Sequence, residues 1–199
     1  WASGCAGILE WSVGHLDAAL AETRRWISEA AARNDAGEAL ARRFYADLLL
    51  ERGDWVGAAA AIAVCRSLIR RYHLRMDYTD AVWISAGIAD AQARLAGADP
   101  PGTGWGWNRR VRGLVARSPR WAPRVLAAQA WQAVATGDAE GGRNLFGRAL
   151  AEAEARHQHQ DAWWVQMQRG MALRDDAVLV SAGALARRHG LKAGYEALR

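Results

Sequence analysis

Cysteine, lysine and proline are nearly missing from this chain of 199 residues, and each scarcity excludes something. Two cysteines, Cys5 and Cys65, cannot build the disulfide framework of a small secreted domain. Four prolines and few strand formers leave alanine, leucine and arginine to set a helical composition throughout. No apolar run approaches the ~18 residues that a membrane span requires, and nothing reads as a signal peptide. A reducing, cytoplasmic setting without membrane association is therefore expected. The sequence has no glycine-rich phosphate loop and no Ser/His/Asp or Cys/His arrangement in a supporting context, which argues against an enzyme and against any cofactor. The chain opens at Trp1 inside a stretch that already reads as helix, so a piece of a longer polypeptide is expected.

What the chain does have is a recurring glycine. Gly14, Gly53, Gly97 and Gly137 each close an apolar helical stretch, at intervals of 39, 44 and 40 residues. At three of them a small residue stands seven positions earlier (Gly7, Ala46, Ala130) and another five positions later (Ala19, Ala58, Gly142). Seven residues is about two helical turns, so the earlier residue shares a face with the helix end. A small side chain there lets an antiparallel helix approach closely, and the glycine supplies the left-handed turn between the two. A period of this size predicts an array of helix pairs, about five in this length.

The spacing predicts helices over about 1–13, 15–33, 38–52, 55–73, 77–97, 105–117 and 139–157, one that Ser118-Pro119 starts, one that holds Trp163, Trp164, Met167 and Met171 after a turn over 157–161, and one capped by Asp175-Asp176 and ended by His189-Gly190. Asp54 and Asp138, directly after turn glycines, are expected N-caps, as is Ser118 ahead of Pro119. Cys65 falls among inward small residues and reads as a buried hydrophobe. The third repeat is irregular: Asp90 stands seven before Gly97, and a Pro/Gly-rich loop over 98–104 replaces the short turn. Of the adjacent Trp163 and Trp164, one is expected to pack inward with Met167 and Met171, and the other to be partly exposed or to cover the neighbouring pair.

Gly-Asp-Trp-Val-Gly-Ala at 53–58 and Gly-Asp-Ala-Glu-Gly-Gly at 137–142 resemble the turn and second-helix start of tetratricopeptide repeats. The period nearer forty, the missing terminal proline and Trp26 at a small-residue position resemble the longer, degenerate arrays of bacterial signal-transduction ATPases, among them the maltose-regulon activator type. The resemblance implies an all-α, right-handed superhelical solenoid of about five antiparallel helix pairs, spanning 1–199 as a single domain. It also implies a protein- or peptide-binding module within a larger bacterial signalling or transcription-regulating protein. The alternatives are a small-molecule sensor, for example of a sugar, and a self-associating scaffold.

Charge points to a site. Between Pro101 and Thr136 there are six arginines and no acid, while the rest of the chain holds twenty basic and twenty-one acidic residues. Trp105, Trp107, Arg109, Arg110, Arg112, Arg117, Arg120, Trp121 and Arg124 therefore form the candidate partner-binding segment. Arginines fork toward carboxylates, and tryptophans stack on them. No nucleic-acid motif accompanies them, so the expected partner is a protein or peptide, or another domain of the same polypeptide. The second candidate is the surface lined by the first helix of each pair, with Arg43, Tyr45, Asp47, Tyr78, Asp80 and Gln129. His157 and His159 tempt a metal reading, but two residues apart they face different sides of a helix, and a solvated helix end is the better account.

Overall fold

The computed structural model describes residues 2–12, 14–33, 36–74, 77–102 and 106–188. All regular structure among them is helical. The helices are α1 (Ala2–Ser12), α2 (Leu16–Ala32), α3 (Gly37–Glu51), α4 (Trp55–Arg71), α5 (Asp77–Asp80), α6 (Val82–Leu95), α7 (Trp107–Arg117), α8 (Ala122–Ala135), α9 (Ala139–Ala155), α10 (His159–Leu173) and α11 (Asp176–Arg188). They pack in consecutive pairs: α1 on α2, α3 on α4, α6 on α7, α8 on α9 and α10 on α11. From the third pair onward, the first helix of a pair rests against both helices of the pair before it. Helix α6 lies on α3 and α4, α8 on α6 and α7, and α10 on α8 and α9. The first helices thus form one continuous layer, with each second helix packed against it.

The turn glycines behave as their spacing predicts. Gly14, Gly53, Gly97 and Gly137 have φ of 86°, 80°, 72° and 90°. The residue after each donates its N–H across the turn, to Glu10, Leu49, Ala93 and Ala133 O respectively, at 2.9 Å every time. That bond satisfies a carbonyl which the helix end would otherwise leave orphaned. Nothing lies within 4 Å of a Cβ built at Gly53, Gly97 or Gly137, so backbone conformation and not space selects glycine there. Space selects it at Gly7 and Gly142. A Cβ on Gly7 would stand 2.8 Å from Thr23 Oγ1, and one on Gly142 would run into Val134.

Trp26, which looks out of place in the sequence, has its own accommodation. A Cβ on Gly4 would lie 2.9 Å from its ring, so glycine on α1 makes room for the indole on α2. The irregular third pair repeats the device: Gly87 on α6 faces Trp107 on α7, with a hypothetical Cβ 3.1 Å from the ring. Asp54 and Asp138 cap α4 and α9 as expected, each accepting an N–H at 2.8 Å.

Two expectations need correction. The helix expected over about 77–97 breaks at Ala81 into α5 and α6. Ser118 makes no side-chain cap; Pro119–Trp121 forms a 3-10 turn that carries the chain into α8. Of the alternatives left open for the tryptophan pair, cover holds and exposure does not: Trp163 and Trp164 are both buried, at 3% and 4% exposure. They do face different ways: Trp164 lies under Arg124, and Trp163 is covered by Trp11 of α1, with ring centroids 5.6 Å apart. The first and fifth pairs therefore touch across the inner layer, which is why no tryptophan of α10 is left uncovered. Cys65 is fully buried as expected, its thiol directed at Ala39 O at 3.1 Å.

Candidate functional site

The inner layer of first helices encloses a groove with room for about 490 Å³. Its apolar wall comes from α1, α2 and α3: Ile8, Trp11, Trp26, Leu40 and Phe44. Its polar wall comes from α3, α5, the Pro119–Trp121 turn and the starts of α8 and α10: Arg43, Asp47, Glu51, Tyr78, Arg120, Trp121, Arg124, Gln158, Gln160 and Asp161. A volume of this size, with aromatic walls and a few convergent polar groups, is the usual anatomy of a small-molecule site (about 300–1,000 Å³).

Two of the three arginines in the groove lining are neutralised in place. Arg43 pairs with Asp47 one helical turn away, and Ser85 Oγ of α6 donates to the other Asp47 oxygen at 2.5 Å. Arg124 Nε donates to Asp161 at 2.7 Å, and Gln158 donates to the second Asp161 oxygen at 3.1 Å. Glu51, 2% exposed, accepts the Trp11 indole N–H at 2.9 Å. Burial pushes the Arg43 guanidinium below its ordinary range, and Asp47 offsets this only in part. Burial also works against the Arg124 cation, but Asp161, Asp47 and Glu51 outweigh it and hold its pKa above the usual value. Such pairs are costly to desolvate and costly to break, so they hold the floor of the groove in one arrangement.

Trp121 stands at the centre of the polar wall. It meets Tyr78 edge-to-face at 5.7 Å, and the guanidiniums of Arg43, Arg120 and Arg124 lie 5.6, 5.6 and 5.9 Å from its ring. Arg120 also covers Tyr78 at 4.5 Å.

The structure thus divides the candidate segment. Arg120, Trp121 and Arg124 enter the groove. Arg117 pairs with Asp80 at 2.5 Å. Trp107 is buried against Gly87 and is no anchor offered to solvent. Arg109, Arg110 and Arg112 are exposed along α7, and Trp105 lies outside the described residues. Of the first-helix candidates, Arg43, Asp47 and Tyr78 line the groove. Tyr45 instead accepts from Arg24 at 2.7 Å, Asp80 is taken by Arg117, and Gln129 has no place in the groove lining.

Trp11, Trp26, Glu51, Gln158, Gln160 and Asp161 escaped the sequence reading. A signal for some of them exists: cross-pair polar contacts link residues about one repeat apart. Arg124–Asp161 and Trp131–Gln168 are separated by 37 residues, Asp47–Ser85 by 38 and Trp11–Glu51 by 40. Complementary residues recurring at the repeat period mark the inner layer.

His157 takes a left-handed turn position with φ of 55°, its ring 6.4 Å from that of His159. Among the described residues no three His, Cys, Asp or Glu side chains gather as a metal site. Nor, among those residues, is any helix long and apolar enough to cross a membrane. No family model matches the chain, and comparison with curated proteins and with solved structures gives no significant match.

Proposed function

We propose that this chain is a tetratricopeptide-like superhelical solenoid that works by binding alone, as the cytoplasmic sensor module of a larger bacterial signalling or transcription-regulating protein. The positive-φ glycines at the repeat period, the small residues at the pair contacts, and each first helix resting on the previous pair support the solenoid reading.

The groove is the observation that carries the function. Contact between Trp11 and Trp163 draws the two ends of the inner layer together, which suits a compact ligand better than an extended peptide. Small-molecule sensing, the alternative in the sequence reading, therefore takes the lead over peptide binding. Charge balance narrows the ligand. Arg43 and Arg124 already face Asp47 and Asp161, so an ionic ligand would compete with pairs in place. Hydroxyl groups, which donate and accept, can join both partners of a pair, while a flat apolar ring face stacks on Tyr78, 47% exposed in the groove lining. A neutral sugar-like molecule meets these demands.

The test is a panel of neutral mono- and oligosaccharides, read by thermal shift and tryptophan fluorescence. A saturable rise in Tm with at least one member, weakened by Gln160→Ala at the exposed rim and by Tyr78→Ala, is expected. Failure of every member, with intact folding, would reject the sugar reading.

A further inference from the structure

Half of the chain's local positive excess is not used inside. Of the six arginines between Pro101 and Thr136, Arg117 and Arg124 meet carboxylates and Arg120 covers Tyr78 at the groove. Arg109, Arg110 and Arg112 remain exposed on α7, a helix with no acidic residue. They do not stand alone. Arg110 lies 5.4 Å from the Trp83 ring, and Arg66 of α4 lies 4.4 Å from the same ring, so two guanidiniums from different helices meet on one indole. Burial lowers the Arg66 pKa, and Arg70 and Arg110 lower it further, while Asp90 of α6 works the other way. Helix α4 is also free of acids. Arg66, Arg70 and Arg110, from two acid-free helices, thus gather at Trp83, with the exposed Arg109 next along α7, on elements separate from the groove lining.

The exposed face of α4 beside them is apolar. Val56, Ala60, Ala63, Val64 and Ser67 are exposed at helical spacing and form one stripe, with Val56 60% and Val64 38% exposed. Helical geometry places Arg66 and Arg70 along one border of that stripe, the border toward Trp83 and α7. Small residues permit close approach of another helix, and a row of arginines along one edge demands carboxylates opposite. A nucleic-acid backbone would match the arginines but would leave the valine and alanine stripe uncovered.

We infer that this outer face of α4 and α7 is a docking surface for an acidic amphipathic helix, whose apolar stripe lies on Val56, Ala60 and Val64 and whose carboxylates meet Arg70, Arg109 and Arg110. Arginine, with its planar fork and weak hydration, suits a carboxylate pairing that must be partly desolvated beside an indole. The inference is independent of the groove ligand.

The probe is a synthetic helical peptide with an alanine–leucine stripe edged by glutamates, titrated into the chain beside its Glu→Gln counterpart and a duplex DNA of similar length. The glutamate peptide is expected to bind, with affinity falling as salt rises, and to lose roughly tenfold or more against Arg70→Glu with Arg109→Glu. Both substitutions sit on exposed side chains, so the fold and the Tm should hold. Val64→Lys should weaken the peptide and leave DNA unaffected or strengthened. Equal binding of the glutamine peptide, absence of binding by the glutamate peptide, or tighter DNA binding lost in the same double variant would each overturn the proposal.

Discussion

The inner and outer faces of this molecule spend the same residue differently. In the groove, Arg43 and Arg124 are buried, each against an aspartate held by a further donor, Ser85 or Gln158. On the outer face, Arg109 and Arg112 stand in solvent on a helix without a carboxylate. The contrast teaches that a sequence segment rich in arginine is not a surface. The six arginines of 101–136 fall on a helix, a 3-10 turn and a second helix, and the change of direction at Pro119–Trp121 sends them to opposite sides. Position in the repeat, and not proximity in the chain, decides whether an arginine is structural or available.

The largest expected effect lies inside. Asp161→Ala leaves the Arg124 cation buried without its nearest counter-charge and should cost about 3 kcal/mol in chemical denaturation, as broken buried pairs do. Replacing both partners, Arg124→Met with Asp161→Leu, should recover most of it, because removing a desolvated pair costs far less than halving one. If the single and double variants are equally unstable, the pair holds the fold by shape and not by charge.

The interior should also respond to alkali where the outer face does not. Burial pushes the Cys65 thiol from an ordinary value of 9.0 up to about 12, despite the opposing effect of Arg43. A group whose folded pKa is raised stabilises fully below its unfolded value and loses that contribution as pH rises toward the folded one. Between about pH 9 and pH 12 stability should therefore fall, by about 2 kcal/mol at pH 10.5. Cys65→Ala should remove that slope when the two proteins are unfolded in parallel. Equal slopes would mean that the thiol is hydrated.

Turn geometry provides an intermediate scale and shows what the sequence makes legible. A period read from four glycines locates the turns to the residue, because a left-handed backbone has one cheap solution. Gly137→Ala should cost about 1 kcal/mol in the absence of any clash. The fifth turn carries the same conformation on Arg174, at φ 51°, and no glycine marks it, so the pattern ends one turn early. Side-chain partners were less legible, because they are set by the neighbouring pair. Asp161 reads as one acid in a polar turn until Arg124, 37 residues earlier, is laid beside it. Which of Trp163 and Trp164 is covered, and by what, stays open until α1 closes over Trp163, and that contact depends on the curvature of the whole array. Local conformation follows from local sequence; curvature accumulates from every pair contact and has no local signature.

The smallest effect sharpens the comparison most. Arg109→Ala and Arg112→Ala should each change stability by no more than about 0.5 kcal/mol, the usual range for surface positions away from caps, cores and networks. Any shift should be toward greater stability at low salt, since each removes a cation from a face where several lie close together, and it should fade as salt rises. A loss near the size of the Asp161→Ala effect would mean that α7 is held by contacts of these side chains. The outer face would then be as structural as the inner one, and the distinction between bound and available arginines would collapse. A negligible loss leaves Arg109 and Arg112 with no role in the fold, and for Arg109 that is the condition a docking surface must meet before any partner is sought.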